Sequence, residues 1–278
     1  GEIPSDQSGL YFQTRALEYE QSSLSNYQTK GEHYFEGLSK LKVDWLWAWS
    51  QSNQNQPDLR YFSNDYTIDE VTGDTNYSIQ ASIYPVPTRY YRNLDQTTGD
   101  GKINFEFNIK EKDGKTSKIK FGSAFLIQER VLTENRYNYR SQGNLAYNGS
   151  VAQYLSNNNM NLPTVGNLVN EYVYIEDATE RRNSYGADQV IFAGYLMGDI
   201  WATKKFRLVT GARLETTNIE ARSFDQKEKV GVLKESDILP ALNTSYALTE
   251  KSNLRAAYSK TLARPTFREI APFVTYDF

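Results

Sequence analysis

Lys102-Ile-Asn-Phe-Glu-Phe-Asn-Ile-Lys110 and Lys118-Ile-Lys-Phe-Gly-Ser-Ala-Phe-Leu-Ile127 decide the fold. Ile103, Phe105, Phe107 and Ile109 alternate with Asn104, Glu106, Asn108 and Lys110. Beyond Asp113-Gly114 the rhythm resumes with Ile119, Phe121, Ser123, Phe125 and Ile127 against Lys118, Lys120, Gly122 and Ala124. Alternation of period two over this length marks strands with one apolar and one wet face, and Asp-Gly between them is a hairpin signal. The apolar face is covered either by a second sheet, as in a soluble sandwich, or by lipid, as in an outer-membrane barrel.

The rest of the composition bears on that choice. At 278 residues with 39% hydrophobic content the chain is rather polar for a compact enzyme of its size. A mean hydropathy of -0.66 and the lack of any apolar run near about 18 residues exclude helical spans. Barrel strands keep their hydrophobic residues at alternate positions, so a low average leaves a membrane barrel open. Aromatics make up 14%, led by 21 tyrosines, and polar Asn, Gln, Ser and Thr are abundant, which suits strands and loops. The net charge of -3 offers nucleic acid no basic face. Without cysteine there is no disulfide, thiolate metal site or thiol nucleophile, and the single histidine, His33, leaves little for a zinc site or triad. Gly1 is neither an initiating Met nor part of a signal peptide, so the chain reads as mature or as a piece of a longer one.

Working outward from the hairpin, alternation and turn chemistry predict nine strands, near 10–22, 25–36, 40–51, 89–110, 116–138, 188–202, 206–223, 238–249 and 253–264. Several exceed the usual strand of about five to six residues, whereas crossing a hydrocarbon layer takes about 9 to 11. Connections alternate between tight turns (Gly37-Leu38-Ser39, Asp113-Gly114, Thr203-Lys204-Lys205, Glu250 to Asn253) and long loops at 52–88, 139–187 and 224–237. Short turns at one rim, periplasmic, and long loops at the other, extracellular, are the pattern of bacterial outer-membrane barrels. The short link near Ser22 to Leu24, on the long-loop rim, is the exception. Within the second long loop, Val165 to Val173 reads as a short helix or 3₁₀ segment.

Val43, Trp45, Trp47 and Trp49 share one strand face opposite Asp44 and Ser50. At about 3.3 Å per residue the outer tryptophans lie about 13 Å apart, deeper than one interfacial girdle, so some belong to the lipid band itself. A soluble core strand or a carbohydrate-stacking platform is the competing reading. Arg213 and Glu215 share a face, as do Arg255, Ser259 and Thr261, and such faces survive in water or in pairs. The expected architecture is therefore all-β: a transmembrane antiparallel barrel in a single domain over 1–278, with Trp45, Trp47, Trp49, Ile103, Phe105, Phe107, Phe121 and Phe125 toward lipid.

Asn253-Leu-Arg-Ala-Ala-Tyr-Ser-Lys-Thr-Leu-Ala-Arg-Pro-Thr-Phe-Arg-Glu-Ile-Ala-Pro-Phe273 resembles the barrel of TonB-dependent outer-membrane receptors. Ala263, Arg264, Pro265, Phe267, Arg268 and Glu269 carry that likeness, supported by Tyr27 to Phe35, Leu41 to Trp45, Gln56 to Arg60 and Phe206 to Glu215. The resemblance implies about nine strands of a barrel of about 22, closed by a plug and energised through TonB. Neither plug nor TonB box is recognisable in this chain, which reads as a middle-to-late barrel fragment of an importer of a scarce or large ligand: siderophore, haem, vitamin, glycan or peptide. Outer-membrane lipid, the TonB complex through the missing plug region and the imported ligand are the implied partners. A surface lipoprotein is a further candidate partner. The alternative is a soluble all-β binding or adhesion module.

No catalytic constellation, cofactor motif or metal-ligand spacing emerges, so the chain is not expected to be an enzyme. His33 reads as structural or lumen-facing. Asp65, Asp69, Glu70 and Asp74 have the oxygens Ca²⁺ takes but no EF-hand spacing, and read as solvated loop charges. Asn148-Gly149-Ser150 is a sequon by coincidence, and Gly99-Asp100-Gly101 is turn chemistry. Aromatics and arginine enrich recognition surfaces, which makes Tyr61, Phe62, Tyr66, Arg136, Tyr137 and Tyr139 the candidate ligand-binding residues, with Tyr84, Tyr90 and Tyr91 as looser ones. The competing reading is an outer aromatic girdle.

Overall fold

A computed structural model describes residues 2–4, 9–79, 86–112, 114–143, 145–160, 171–225, 227 and 230–271. The strands are β1 (Glu2–Pro4), β2 (Leu10–Leu17), β3 (Gln21–Phe35), β4 (Leu41–Ile68), β5 (Thr75–Ser78), β6 (Thr88–Lys112), β7 (Lys115–Gln142), β8 (Tyr172–Asp177), β9 (Tyr185–Trp201), β10 (Phe206–Ser223), β11 (Gly231–Ala247) and β12 (Asn253–Ser259). Two helical turns, α1 (Val151–Tyr154) and α2 (Phe267–Ile270), and a 3₁₀ turn at Arg181–Asn183 complete the described elements. The strands form one sheet in the order β1-β2-β4-β6-β7-β9-β10-β11-β12, with β3 and β5 also on β4 and β8 on β7.

Each predicted strand overlaps a described one, but 10–22 ends at Leu17 and 253–264 at Ser259, while several others run further than predicted. β4, β6 and β7 reach 28, 25 and 28 residues, contour lengths of about 80 to 90 Å. That corrects two loops: the first half of 52–88 is strand as far as Ile68, and β11 already begins at Gly231, inside 224–237. It also corrects the first connection. β2 lies antiparallel on β4 from Leu10↔Thr67 to Leu17↔Arg60, and β3 turns back through Glu36–Lys40 onto the same strand. The chain therefore does not reverse near Ser22 to Leu24, which lie inside β3; Glu18 to Glu20 interrupt one ribbon, and the exception to the loop pattern disappears. Gly99 to Gly101 lie inside β6, where Trp49 and Phe125 cover them, rather than in a turn. Of the stretch read as a helix, 165–170 lies outside the described residues and Tyr172 and Val173 open β8; α1 is a helical turn that was not expected.

Turn chemistry accounts for the tight connections. Gly114 takes the left-handed φ of +70° that the hairpin requires, while Asp113 lies outside the described residues. Thr203 Oγ1 accepts from the backbone N–H of Lys205 and Phe206 at 3.2 and 3.0 Å, an ST-turn that reverses the chain between β9 and β10.

Side-chain parity shows how the faces run. Along β6 and β7 even-numbered residues meet one another: Glu106 with Lys118 and Lys120, Gln96 with Arg130, Arg92 with Glu134. Along β4 the parity changes. Asp44 meets Asn104 and Asn53 meets Asp95, but Asp58 meets Arg89. A one-residue slip thus lies between Asn53 and Asp58, around Pro57, which has no N–H for a ladder and is admitted to a central strand only at a bulge.

Contacts divide the chain into two units. The first comprises 1–22, 54–94 and 132–183, and its core is Phe62, Tyr147, Tyr154 and Val173. Ring packs on ring there: Phe62 on Tyr147 at 5.3 Å, Tyr147 on Tyr154 at 5.6 Å and Tyr77 on Tyr147 at 5.8 Å. Gly149, at φ +89°, lies where a Cβ would come within 2.8 Å of the Tyr77 ring. Phe62→Leu should loosen this core by about 1 to 1.5 kcal/mol. The check is limited proteolysis, in which cleavage between β7 and β8 accelerates while the folded-barrel gel band is retained.

The second unit comprises 23–53, 95–131 and 184–278. One face of its strands is apolar and exposed, with Trp47, Phe121, Phe125, Phe192, Leu196, Leu214, Ile238 and Leu254 outward. Phe105 and Phe107 stack on Phe121 at 5.0 and 5.9 Å. This is a single sheet with long strands and an uncovered apolar face, not the closed core of a sandwich.

Candidate functional site

The wet face of the second unit is a set of shared charges. Asn104 Nδ2 donates to Asp44 Oδ1 at 2.8 Å and Asn104 Oδ1 accepts from the Tyr195 hydroxyl at 2.8 Å. Glu106 holds both Lys118 and Lys120 at 2.5 Å. Arg213 Nε donates to Glu215 Oε2 at 2.8 Å, the pairing that their shared face demanded. Arg264 reaches the same carboxylate from beyond β12 and donates from Nε to Thr217 Oγ1 at 2.7 Å. At the short-turn end Trp201 lies under Lys115 at 4.4 Å and Arg207 at 5.7 Å, an aromatic–cation arrangement suited to an interface.

The receptor-like motif is a latch. Thr266 caps α2, accepting from the Glu269 N–H while Glu269 Oε2 accepts from the Thr266 N–H at 2.6 Å. Phe267 is buried with the Arg130 guanidinium 5.2 Å above its ring. Ala263, Pro265, Arg268 and Glu269 are exposed, while Arg264 is half-buried and Phe267 buried. Sequence reasoning missed Glu215 and Thr217 as partners of Arg264; nothing in a strand's alternation says which later residue will return to it.

In the first unit the six candidate ligand residues separate. Phe62 is core, a correction to its placement on a binding surface, because α1 and Tyr147 cover it. Tyr66 stacks between Tyr11 at 5.1 Å and Tyr77 at 5.7 Å, and Tyr137 packs edge-on to Tyr91 at 5.8 Å. Tyr139 packs on the Phe62 core and accepts from Arg89 Nη1 at 3.2 Å. Tyr61 and Arg136 occupy the opposite face, where both converge on Tyr90: Tyr61 edge-on at 6.0 Å and Arg136 over its ring at 5.7 Å. Arg92 joins them, 4.6 Å from the same ring, held by Glu134 at 2.6 Å. Tyr84 lies outside the described residues.

Behind this face Asp58 receives Arg89 through two bonds of 2.7 Å, and Arg60 as well. Hydrogen bonds from Arg89 and then Arg60 hold its carboxyl well below the usual carboxylate range, and Asp58 in turn raises the Arg89 guanidinium. A depressed carboxylate contributes stability fully above its unfolded pKa of about 3.9 and loses it as pH falls toward the folded value. The first unit should therefore keep its near-ultraviolet tyrosine signal at about pH 5 and lose part of it below about pH 4. Asp58→Asn should remove that acid-dependent component, as circular dichroism across the range would show.

The acidic residues do not gather. Asp65 is buried and accepts from Ser78 Oγ at 2.9 Å, while Asp69 accepts from the backbone of Val71 and Thr72 in a turn. Among the described residues no three acidic or histidine groups form a metal-sized cluster. His33 accepts from Trp45 Nε1 at 3.2 Å, which places it on the tryptophan face rather than toward a lumen. Asn148 serves α1, accepting from the Ser150 N–H and donating to Gln153, so the sequon is a cap.

A long antiparallel sheet with one exposed apolar face and one ion-paired face defines the wall of an outer-membrane β-barrel. Residues 50–277 match the model of the outer membrane protein beta-barrel family, and the chain belongs to that family. It is thus a protein of the outer membrane, which sets aside the soluble module. A chain in the structure of the FpvAI-pyocin S2 complex is similar over 92% of this chain and 38% of its own length, at 10% identity and a TM-score of 0.39. No curated protein matches.

Proposed function

We propose that the chain is barrel wall of a TonB-dependent receptor that imports a scarce or large ligand across the outer membrane, a transport rather than a catalytic role. The observation that carries this is the latch: the Thr261-Leu-Ala-Arg-Pro265 stretch, the most receptor-like part of the sequence, is engaged through Arg264 with Glu215 and Thr217 on the wet face. In this reading the short turns are periplasmic, the first unit is extracellular and the exposed apolar band, Trp45 to Trp49 and Ile103 to Phe125 included, meets lipid. The paired charges then line a lumen that a plug fills.

The test is permeability. Full-length protein in liposomes should be closed to small sugars, and uptake of its nutrient by cells should stop when TonB is deleted. A constant, porin-like flux that ignores TonB overturns the reading.

A further inference from the structure

Arginines stand on both faces of the first unit, and they are not equally satisfied. Arg89 has Asp58, Arg92 has Glu134 and Arg140 has Glu176 at 2.6 Å. Arg136 has no carboxylate within ion-pair distance among the described residues. Its Nε donates to the amide oxygen of Asn138 at 3.2 Å, an oxygen that also accepts from Thr88. The nearby Glu176 is engaged by Arg140. Desolvating a guanidinium without a carboxylate in contact is unfavourable, yet this one is half-buried, 5.7 Å from the centre of the Tyr90 ring beside the second cation, Arg92, with Glu176 acting on it only at longer range. Its carboxylate-binding edge is therefore preorganised, because the Nε bond to Asn138 and the contact with Tyr90 hold the group while its Nη atoms make no hydrogen bond among the described residues. Exposed Tyr61, edge-on to Tyr90, adds a ring against which a flat ligand can pack.

We infer that Tyr61, Tyr90, Arg92 and Arg136 form a site for an oxyanion, carboxylate or phosphate, carried on a soluble ligand, with Arg136 making the bidentate contact. This rests on the receptor reading, since it specifies the chemistry of what is imported. It also separates the two candidate arginine faces: the Asp58–Arg89 face is internally neutralised scaffold, and the Arg136 face is where ligand charge is welcome.

Full-length protein extracted in detergent, titrated calorimetrically with citrate and separately with inorganic phosphate at constant ionic strength, tests it. Saturable binding of either anion supports the site, and the stronger of the two names the preferred oxyanion. Arg136→Gln should weaken that binding by at least about tenfold, whereas Arg140→Gln should change it by no more than about twofold. Arg136→Lys keeps the charge but loses the fork, and serves if Arg136→Gln fails to fold; it should weaken binding on the order of threefold. Absence of saturable binding to both anions overturns the inference, as does an Arg136 variant that binds like the wild type or an Arg140 variant that loses as much. Because TonB is not in the assay, a porin-like flux would overturn the receptor reading and leave this result standing.

Discussion

Arg264→Ala should destabilise the second unit by about 3 kcal/mol, the lower end of what removing one partner of a buried pair costs. Glu215 is the reason. Its side chain is only 8% exposed, and across the ladder it stands directly opposite Asp237. Two carboxylates facing each other on adjacent strands repel. Arg213, two residues away on β10, neutralises Glu215 from its own strand, and Arg264 supplies the second charge from beyond β12. Lys260 approaches Asp237 at 3.9 Å from the same returning segment. Removing Arg264 leaves Arg213 as the one arginine on Glu215, strips Thr217 of its donor and frees the segment that seats Phe267 under Arg130. The measurement is the urea midpoint at which the heat-modifiable gel band of the full-length protein is lost. Glu215→Gln in the Arg264→Ala background should recover part of the loss, because the repulsion goes with the charge. If the two substitutions simply add within about 0.5 kcal/mol, the latch is not coupled through Glu215 and this account of it fails.

Much of the second unit was legible because membrane strands obey a strict rule. Ile103 to Ile127 alternates cleanly, so Asn104, Glu106, Lys118 and Lys120 could be assigned to one face without any structure, and the ion pairs followed. Arg213 and Glu215 were readable for the same reason. The rule lapses where both faces of a strand are wet. Gln51 to Gln56 reads as a polar loop, yet it is strand, because nothing forces alternation once neither face is buried in an apolar medium. Pro57 compounded the difficulty: the slip around it inverts the parity of β4, so Tyr61 ends up with Tyr90 while Phe62 turns into the loop core. The aromatic candidates were recognisable as a class, but their division into scaffold and exposed face depends on α1 and β8, whose placement a local pattern does not encode. Ser22 to Leu24 misled in the other direction, since a polar stretch of an extended ribbon has the composition of a turn.

Gly122→Ala should damage the wall severely for a single methyl. An ideal Cβ at this position would lie 2.4 Å from the Ile103 carbonyl oxygen, 2.7 Å from Asn104 Oδ1 and 2.9 Å from Tyr195 Cε1. The first of these is backbone and cannot swing away, so β6 and β7 would have to separate locally; overpacking of this kind costs about 1 to 3 kcal/mol. The other two belong to a relay. With no side chain on β7 at Gly122, the Tyr195 hydroxyl reaches over the strand to Asn104, which in turn holds Asp44. Displacing Tyr195 and Asn104 forfeits two hydrogen bonds of about 1 kcal/mol each, one of them to a carboxylate, so the total is about 3 to 5 kcal/mol. The yield of heat-modifiable protein on refolding into detergent should fall sharply, and Gly122→Val should fold less well still. Trimming the relay separates the two contributions. In an Asn104→Ala, Tyr195→Phe background the relay is already gone, so Gly122→Ala should then cost only the backbone term. Should the cost be the same in both backgrounds, the relay contributes nothing and Gly122 is required solely for the approach of the two strands.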